Sequence, residues 1–264
     1  MIIDGKPLAA DLLDQVREIT QTIPGLVLSA VVCAPNFETK KYLEMKKSKA
    51  ATVGITLDVV ELPADTSTDQ AVAAVLSAAA ESNGVVVQLP LPAHIDKATV
   101  LAAVPRPKDP DVFAYGEKYD RILPPVVGAI DVMSLKCGIE WKNKKVVILG
   151  KGLLVGKPAA RYARKQGASV RVYEEGTLDP SSLKTAEIIV SGTGQPHFIT
   201  KEMVSPGVVI FDAGTSEDGG VLVGDVHPDV AAVAAFVTPV PGGIGPLTIA
   251  YLLKNLTLLA TQDQ

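Results

Sequence analysis

The 264-residue sequence predicts an α/β fold in two parts, each built on a parallel sheet. Three observations lead there. Strand-like and helix-like segments alternate along the chain. Hydrophobic residues make up 47% of it but aromatics only 5%, so the core rests on Val, Ile, Leu and Ala, as in strands covered on both faces by helices. A stretch rich in proline and charge, PRPKDPDVFAYGEKYDRILPPV, interrupts the alternation. Pro107, Pro110, Pro124 and Pro125 are expected to block regular structure there, which places the boundary between the two parts.

Before that stretch, Leu26 to Ala34 (LVLSAVVCA) is a continuous β-branched run and reads as a buried strand. Thr39 to Val53 reads as a helix capped at Gly54. ITLDVVELP alternates like a strand, Asp69 to Ala80 reads as an Ala-rich helix, and GVVVQLPLP (Gly84 to Pro92) as a short strand stopped by prolines. After it, a helix is expected from about Gly128 to Cys137. KKVVILGKGLLVGKPAARYARKQGASVRVYEE then reads as strand, glycine turn, helix and strand. Further strands are expected at Ala186 to Ser191, Gly207 to Gly214 and Ala235 to Val240, and a helix over Gly245 to Ala260.

A net charge of −4 gives no basic footprint for nucleic acid and no reason to expect an anionic membrane surface. No signal peptide and no run of membrane-spanning length is read, so the expected location is the cytoplasm. Cys33 and Cys137 lack CxxC spacing, and two reduced thiols are expected. No metal-ligating set is assigned.

Four features carry candidate chemistry. Gly150, Lys151, Gly152 and Gly156 form a GxGxxxG turn between strand and helix. Such a turn brings backbone close to a pyrophosphate and presents helix N–H groups to it, with Lys151 as a possible phosphate contact. An ordinary packing turn is the alternative. Glu174 and Glu175 end the following strand, where an acid meets an adenosine ribose 2′-hydroxyl and repels a 2′-phosphate; a solvated strand end is the other reading. Tyr42 and Lys46, at i and i+4, share one helix face, which suits proton transfer if burial depresses the lysine. Spacing alone favours a solvated pair, because Lys40, Lys41, Lys47 and Lys49 crowd the same segment. Gln88, at a strand's carboxyl end, is placed to orient a neighbour such as Lys46. Asp109 and Asp111 serve either a ligand or a turn. Finally, TPVPGGIGPLT (Thr238 to Thr248) packs three glycines and three prolines into a shaped loop.

Taken together, YLEMKKSKAATVGI, VVVQLPLP, KDPDVF, VVILGKGLLVGKPAA, SGTGQPHFI, LVGDV and TPVPGGIGPLTIAYLLKN resemble the methylenetetrahydrofolate dehydrogenase/methenyltetrahydrofolate cyclohydrolase family over nearly the whole chain. The resemblance implies a catalytic domain of residues 1–116 completed by the C-terminal helix, 246–264, and a Rossmann-like nucleotide-binding domain of residues 117–245. It implies Lys46 as catalytic lysine, Tyr42 as its partner, Gln88 as its positioning amide and Asp111 in pterin recognition. Pro241, Gly242 and Gly243 would lie on the substrate loop, and Gly192, Thr193 and Gly194 on the cofactor loop. The implied activity is oxidation of methylenetetrahydrofolate with NADP or NAD, then hydrolysis to formyltetrahydrofolate, by a homodimer.

Several positions depart from the family pattern. DVDGF is DPDVF here, so Val112 replaces a glycine. PCTPxG reads LPPVVG, GRS reads GKG, and a His-Ser pair is replaced by Glu174–Glu175. The last two changes remove groups suited to a 2′-phosphate and favour NAD. Two rival readings are a dehydrogenase without the hydrolase and a non-catalytic folate or nucleotide binder.

Overall fold

The computed structural model describes residues 1–116, 122–174 and 176–262, with Glu38 and Gln262 described by backbone only. Glu175 therefore lies outside the described residues. The chain divides into two compact units, Asp11–Ile122 with Ile249–Gln264, and Met1–Ala10 with Leu123–Thr248.

The first of these units begins within α1 (Lys6–Thr20) and continues through β1 (Val27–Cys33), α2 (Phe37–Thr52), β2 (Thr56–Leu62), α3 (Thr68–Glu81), β3 (Gly84–Val87) and α4 (Lys97–Ala102). Its three strands are all parallel, in the order β2-β1-β3. Three of these helices, α2, α3 and α4, have a side-chain cap at their start. Asn36 accepts a hydrogen bond from Thr39 N ahead of α2. Ser67 and Gln70 form a capping box on α3, and the Asp96 carboxylate accepts from Ala98 N and Thr99 N at α4. Val31, Val75, Ala79, Val85, Val87 and Val100 pack as one apolar cluster between the sheet and these helices. The strand expected over Gly84 to Pro92 stops at Val87, because Pro90 and Pro92 have no N–H to donate to a ladder.

The other unit holds α5 (Pro125–Cys137), β4 (Lys145–Leu149), α6 (Gly156–Lys165), β5 (Ser169–Tyr173), α7 (Pro180–Thr185), β6 (Ile188–Ser191), β7 (Val209–Asp212), the hairpin β8 (Ser216–Asp218) and β9 (Val221–Val223), and β10 (Phe236–Val237). Five parallel strands lie in the order β10-β7-β6-β4-β5. The chain moves one way from β4 to β5 and the other way to β6, so the order reverses between β4 and β6. Ligands bind at such switch points, at the strands' carboxyl ends.

Three expectations need correction here. Pro125 does not block structure but opens α5, because a residue at the first helical position has no intrahelical N–H bond to lose. The strand expected over Ala235 to Val240 is only two residues long, since Pro239 and Pro241 cannot donate to a ladder. The first ten residues group with the second unit, held there by residues 1–5. Ile2 bridges Val237 in parallel, the N-terminal amine donates to Ala235 O, and Gly5 N donates to Gly242 O.

The last helix, α8 (Ile244–Gln262), is long and apolar enough to cross a membrane by composition, yet Leu252, Leu253, Leu256 and Leu259 are buried within the protein. Its later part belongs to the first unit. A Cβ added at Gly84 would lie 2.5 Å from Leu256 Cδ1. Asn255 Nδ2 donates to Pro110 O (2.9 Å), tying the helix to the KDPD segment.

Candidate functional site

In the first unit, α2 separates its lysines by burial. Lys40, Lys41, Lys47 and Lys49 are exposed, whereas Lys46 is 8% exposed. The solvated reading of Lys46 is thereby set aside. Its Nζ donates to Gln88 Oε1 at 2.9 Å and lies 4.9 Å from the centre of the Tyr42 ring. Gln88 follows β3, and its N–H donates to Val31 O of β1. Its Nε2 donates to Leu89 O, which turns the amide oxygen toward Lys46.

The electrostatics follow from burial. Desolvation pushes the Lys46 ammonium below the usual lysine range, and the Asp111 charge partly restores it. Desolvation raises the Asp111 carboxyl, and Lys46 opposes that rise. The half-buried Tyr42 phenol is pushed up, first by burial and then by Asp111, so it stays protonated. The arrangement is a weakened ammonium, a phenol and a carboxyl in mutual reach of charge: a set able to move a proton.

Asp109 serves the turn rather than the pair. Its carboxylate accepts from Val112 N (2.9 Å) and Phe113 N (2.8 Å), and burial followed by the Asp111 charge raises it to about 7. Val112 has a left-handed backbone, at φ 57°. A β-branched residue is strained there, by about 1–2 kcal/mol. Lys108 anchors the same loop by donating to Ser82 O at the end of α3. Asn255 and Lys108 are positioning groups that the sequence reading did not assign.

In the second unit the predicted residues gather at the carboxyl ends of β4, β5 and β6. Gly150 N donates to Tyr173 O, and Gly192 N donates to Leu149 O. Gly150 has φ 93°, and a Cβ there would lie 2.7 Å from Gly192 O. A Cβ at Gly156 would lie 2.0 Å from Gly150 O, so the turn closes on backbone alone. At Gly152 a Cβ would meet nothing within 4 Å. The start of α6 has no side-chain cap, but Lys157 N donates to Gly152 O, Ala159 N donates to Val155 O and Pro158 carries no N–H, so Gly156 N is the first-turn donor these bonds leave to a ligand. These features fit a dinucleotide pyrophosphate. Lys151 does not stand alone: its Nζ pairs with Glu174 Oε1 at 2.7 Å, both side chains being more than half exposed.

The loop Gly192–Gly194 follows β6 and is held by Asp225, which the sequence reading passed over. Thr193 N and Gln195 N donate to the two oxygens of this fully buried carboxylate. LVGDV, which contains Asp225, was the only signal for it. Pro241, Gly242 and Gly243 form the turn into α8, where Gly243 N donates to Pro239 O, and Val240-Pro241 is a cis bond.

Residues 3–111 match the tetrahydrofolate dehydrogenase/cyclohydrolase catalytic domain, and residues 125–264 match the NAD(P)-binding domain of the same enzymes. The chain belongs to the tetrahydrofolate dehydrogenase/cyclohydrolase family. It is 38% identical to bifunctional protein FolD 2 of Pseudomonas putida, with 100% of this chain and 92% of that one covered. It is 34% identical to bifunctional protein FolD of Streptococcus sanguinis, covering 96% and 95%. Among solved structures, the methylenetetrahydrofolate dehydrogenase-cyclohydrolase of Trypanosoma brucei, complexed with NADP cofactor and inhibitor, aligns at a TM-score of 0.91 and 31% identity, covering 100% and 98%. The two-part α/β architecture and the family expected from sequence are both borne out.

Proposed function

We propose that this family member oxidises 5,10-methylenetetrahydrofolate to the methenyl form with a nicotinamide dinucleotide, and hydrolyses that product to 10-formyltetrahydrofolate. The observation that carries the reading is the buried Lys46, hydrogen-bonded to Gln88 beside Tyr42 and Asp111. A bound dinucleotide supplies the hydride acceptor for the methylene carbon. This chain's glycine turn and Gly192, Thr193 and Gly194 hold it, with Pro241, Gly242 and Gly243 serving the substrate.

Hydrolysis needs three proton movements. Water adds to the methenyl carbon and loses a proton, which the amine form of Lys46 accepts; burial keeps that form accessible. When the bond from that carbon to N5 breaks, Lys46 returns its proton to N5, and the new hydroxyl releases its proton to solvent to become the formyl carbonyl, the net proton of the reaction. Gln88 fixes the direction of Nζ, Tyr42 stays a phenol able to donate, and the Asp111 carboxyl receives the N–H groups of the pterin. A dehydrogenase lacking the hydrolase would not need this set, and a passive binder would not need a depressed lysine.

We favour NAD over NADP. Glu174 occupies Lys151, so the cation that might meet a 2′-phosphate is already paired. Glu174 also offers a carboxylate to a ribose 2′-hydroxyl. Free Cys33 and Cys137 fit the cytoplasm, and the homodimer rests on the family resemblance.

The test is purified protein with 5,10-methylenetetrahydrofolate and each dinucleotide, followed by absorbance. Turnover with NAD+ exceeding that with NADP+ is expected. No turnover with either would favour the passive binder, and a clear NADP+ preference would overturn the reading of Glu174.

A further inference from the structure

Two buried carboxylates outside the proposed chemistry, Asp212 and Asp225, interlock at the carboxyl edge of the five-stranded sheet. Asp212 ends β7 and is 2% exposed; Asp225 is wholly buried. Each fits against a glycine beside the other. A Cβ at Gly214 would lie 2.1 Å from Asp225 Oδ1, and a Cβ at Gly224 would lie 2.1 Å from Asp212 Oδ2.

Their hydrogen bonds run one way, from the Asp225 backbone to Asp212 and from the loop after β6 to Asp225. Asp212 Oδ1 accepts from Gly214 N (2.9 Å) and Asp225 N (3.2 Å), and its Oδ2 accepts from Val226 N (2.9 Å). Asp225 Oδ2 accepts from Ser191 Oγ (2.5 Å) and Thr193 N (2.7 Å), and its Oδ1 from Gln195 N (3.0 Å). At the other side, Asp212 N donates to Thr238 Oγ1 at 2.7 Å, at the head of the TPVPGG loop. One continuous network therefore joins the loops after β6, β7, β9 and β10.

An uncompensated buried carboxylate is costly, so both are retained only because backbone donors surround them. For packing alone, an apolar pair would serve at lower cost. What the carboxylates provide is directional: three donors of residues 191–195 are drawn to one buried point.

We infer that Asp225 is a positioning residue for dinucleotide binding, shaping the Gly192–Gly194 loop, and that Asp212 holds Asp225 in place. The inference rests on the reading of Gly192, Thr193 and Gly194 as cofactor-binding. It does not involve the Lys46 cluster.

The experiment measures NAD+ and NADP+ affinity by calorimetry for wild type, Asp225→Asn and Ser191→Ala, with dinucleotide-free hydrolysis of methenyltetrahydrofolate and thermal melting alongside. Asp225→Asn should weaken dinucleotide binding on the order of tenfold or more. The KM for dinucleotide should rise while kcat at saturation and the hydrolysis rate stay near wild type. Ser191→Ala removes one donor, and a loss of roughly threefold in affinity is expected. It decides the matter if the asparagine variant does not fold. Wild-type affinity in both folded variants would overturn the proposal, as would equal losses of dinucleotide binding and hydrolysis, the mark of a merely structural role. No dinucleotide binding by wild type would instead sink the cofactor reading, and the proposal with it.

Discussion

The two units use charge in opposite ways. In the first, Lys46 is a single cation taken out of water and given a neutral amide partner, which makes its proton labile. In the second, Lys151 stays in solvent and meets a carboxylate, Glu174. Buried charges there are anions, Asp212 and Asp225, and they are spent on backbone N–H groups. One unit tunes a reactive side chain; the other shapes loops from backbone. Burial, not residue type, separates Lys46 from a lysine that pairs at a surface.

The contrast breaks most sharply at the glycine turn. Gly156→Ala drives a methyl group onto Gly150 O. It should lower unfolding stability by about 2–4 kcal/mol and abolish measurable dinucleotide affinity. Denaturant melts and calorimetry would check this, and a well-tolerated alanine would mean the turn closes less tightly than described.

A second effect, on stability alone, belongs to pH. Asp109 is held at about 7 in the folded protein against 3.8 for the unconstrained group. A raised acid binds its proton more tightly when folded, so its contribution is fully present below about pH 4 and is lost as pH rises toward 7. The span corresponds to up to roughly 4 kcal/mol. Denaturant unfolding from pH 4.5 to 8 should show stability falling, and Asp109→Asn should flatten that slope. An unchanged slope in the variant would assign the titration elsewhere.

The smallest effect is expected at the surface pair. Glu174→Gln should leave stability within about 0.5 kcal/mol of wild type, since exposed ion pairs contribute little. It should free Lys151 and shift the NADP+/NAD+ affinity ratio toward NADP+ by several-fold, about 1 kcal/mol. A ratio that does not move would remove this pair from cofactor selection.

Much of this was legible in the sequence where the signal is local. The β-branched runs, the prolines after Gln88 and the glycines around Lys151 mark β1, the end of β3 and the cofactor turn. The i, i+4 spacing of Tyr42 and Lys46 put both on one face of α2, but spacing could not say that this face was the buried one. The family resemblance supplied that. What stayed hidden depends on distant partners. Asp225 acts on Ser191, 34 residues earlier, and Asn255 on Pro110, 145 residues earlier. No periodicity announces such pairs. Sequence reading also assigned no element to α4 and α7, six residues each, because so short a helix has barely one face to pattern.

The most direct test of the account is the hydrolysis of 5,10-methenyltetrahydrofolate by Lys46→Met, measured without dinucleotide and alongside folate affinity. Loss of about 10²–10⁴-fold in rate, with folate and dinucleotide binding largely kept, is the predicted result. Hydrolysis near the wild-type rate would contradict it, and the buried lysine would then be a core cation with no part in the chemistry.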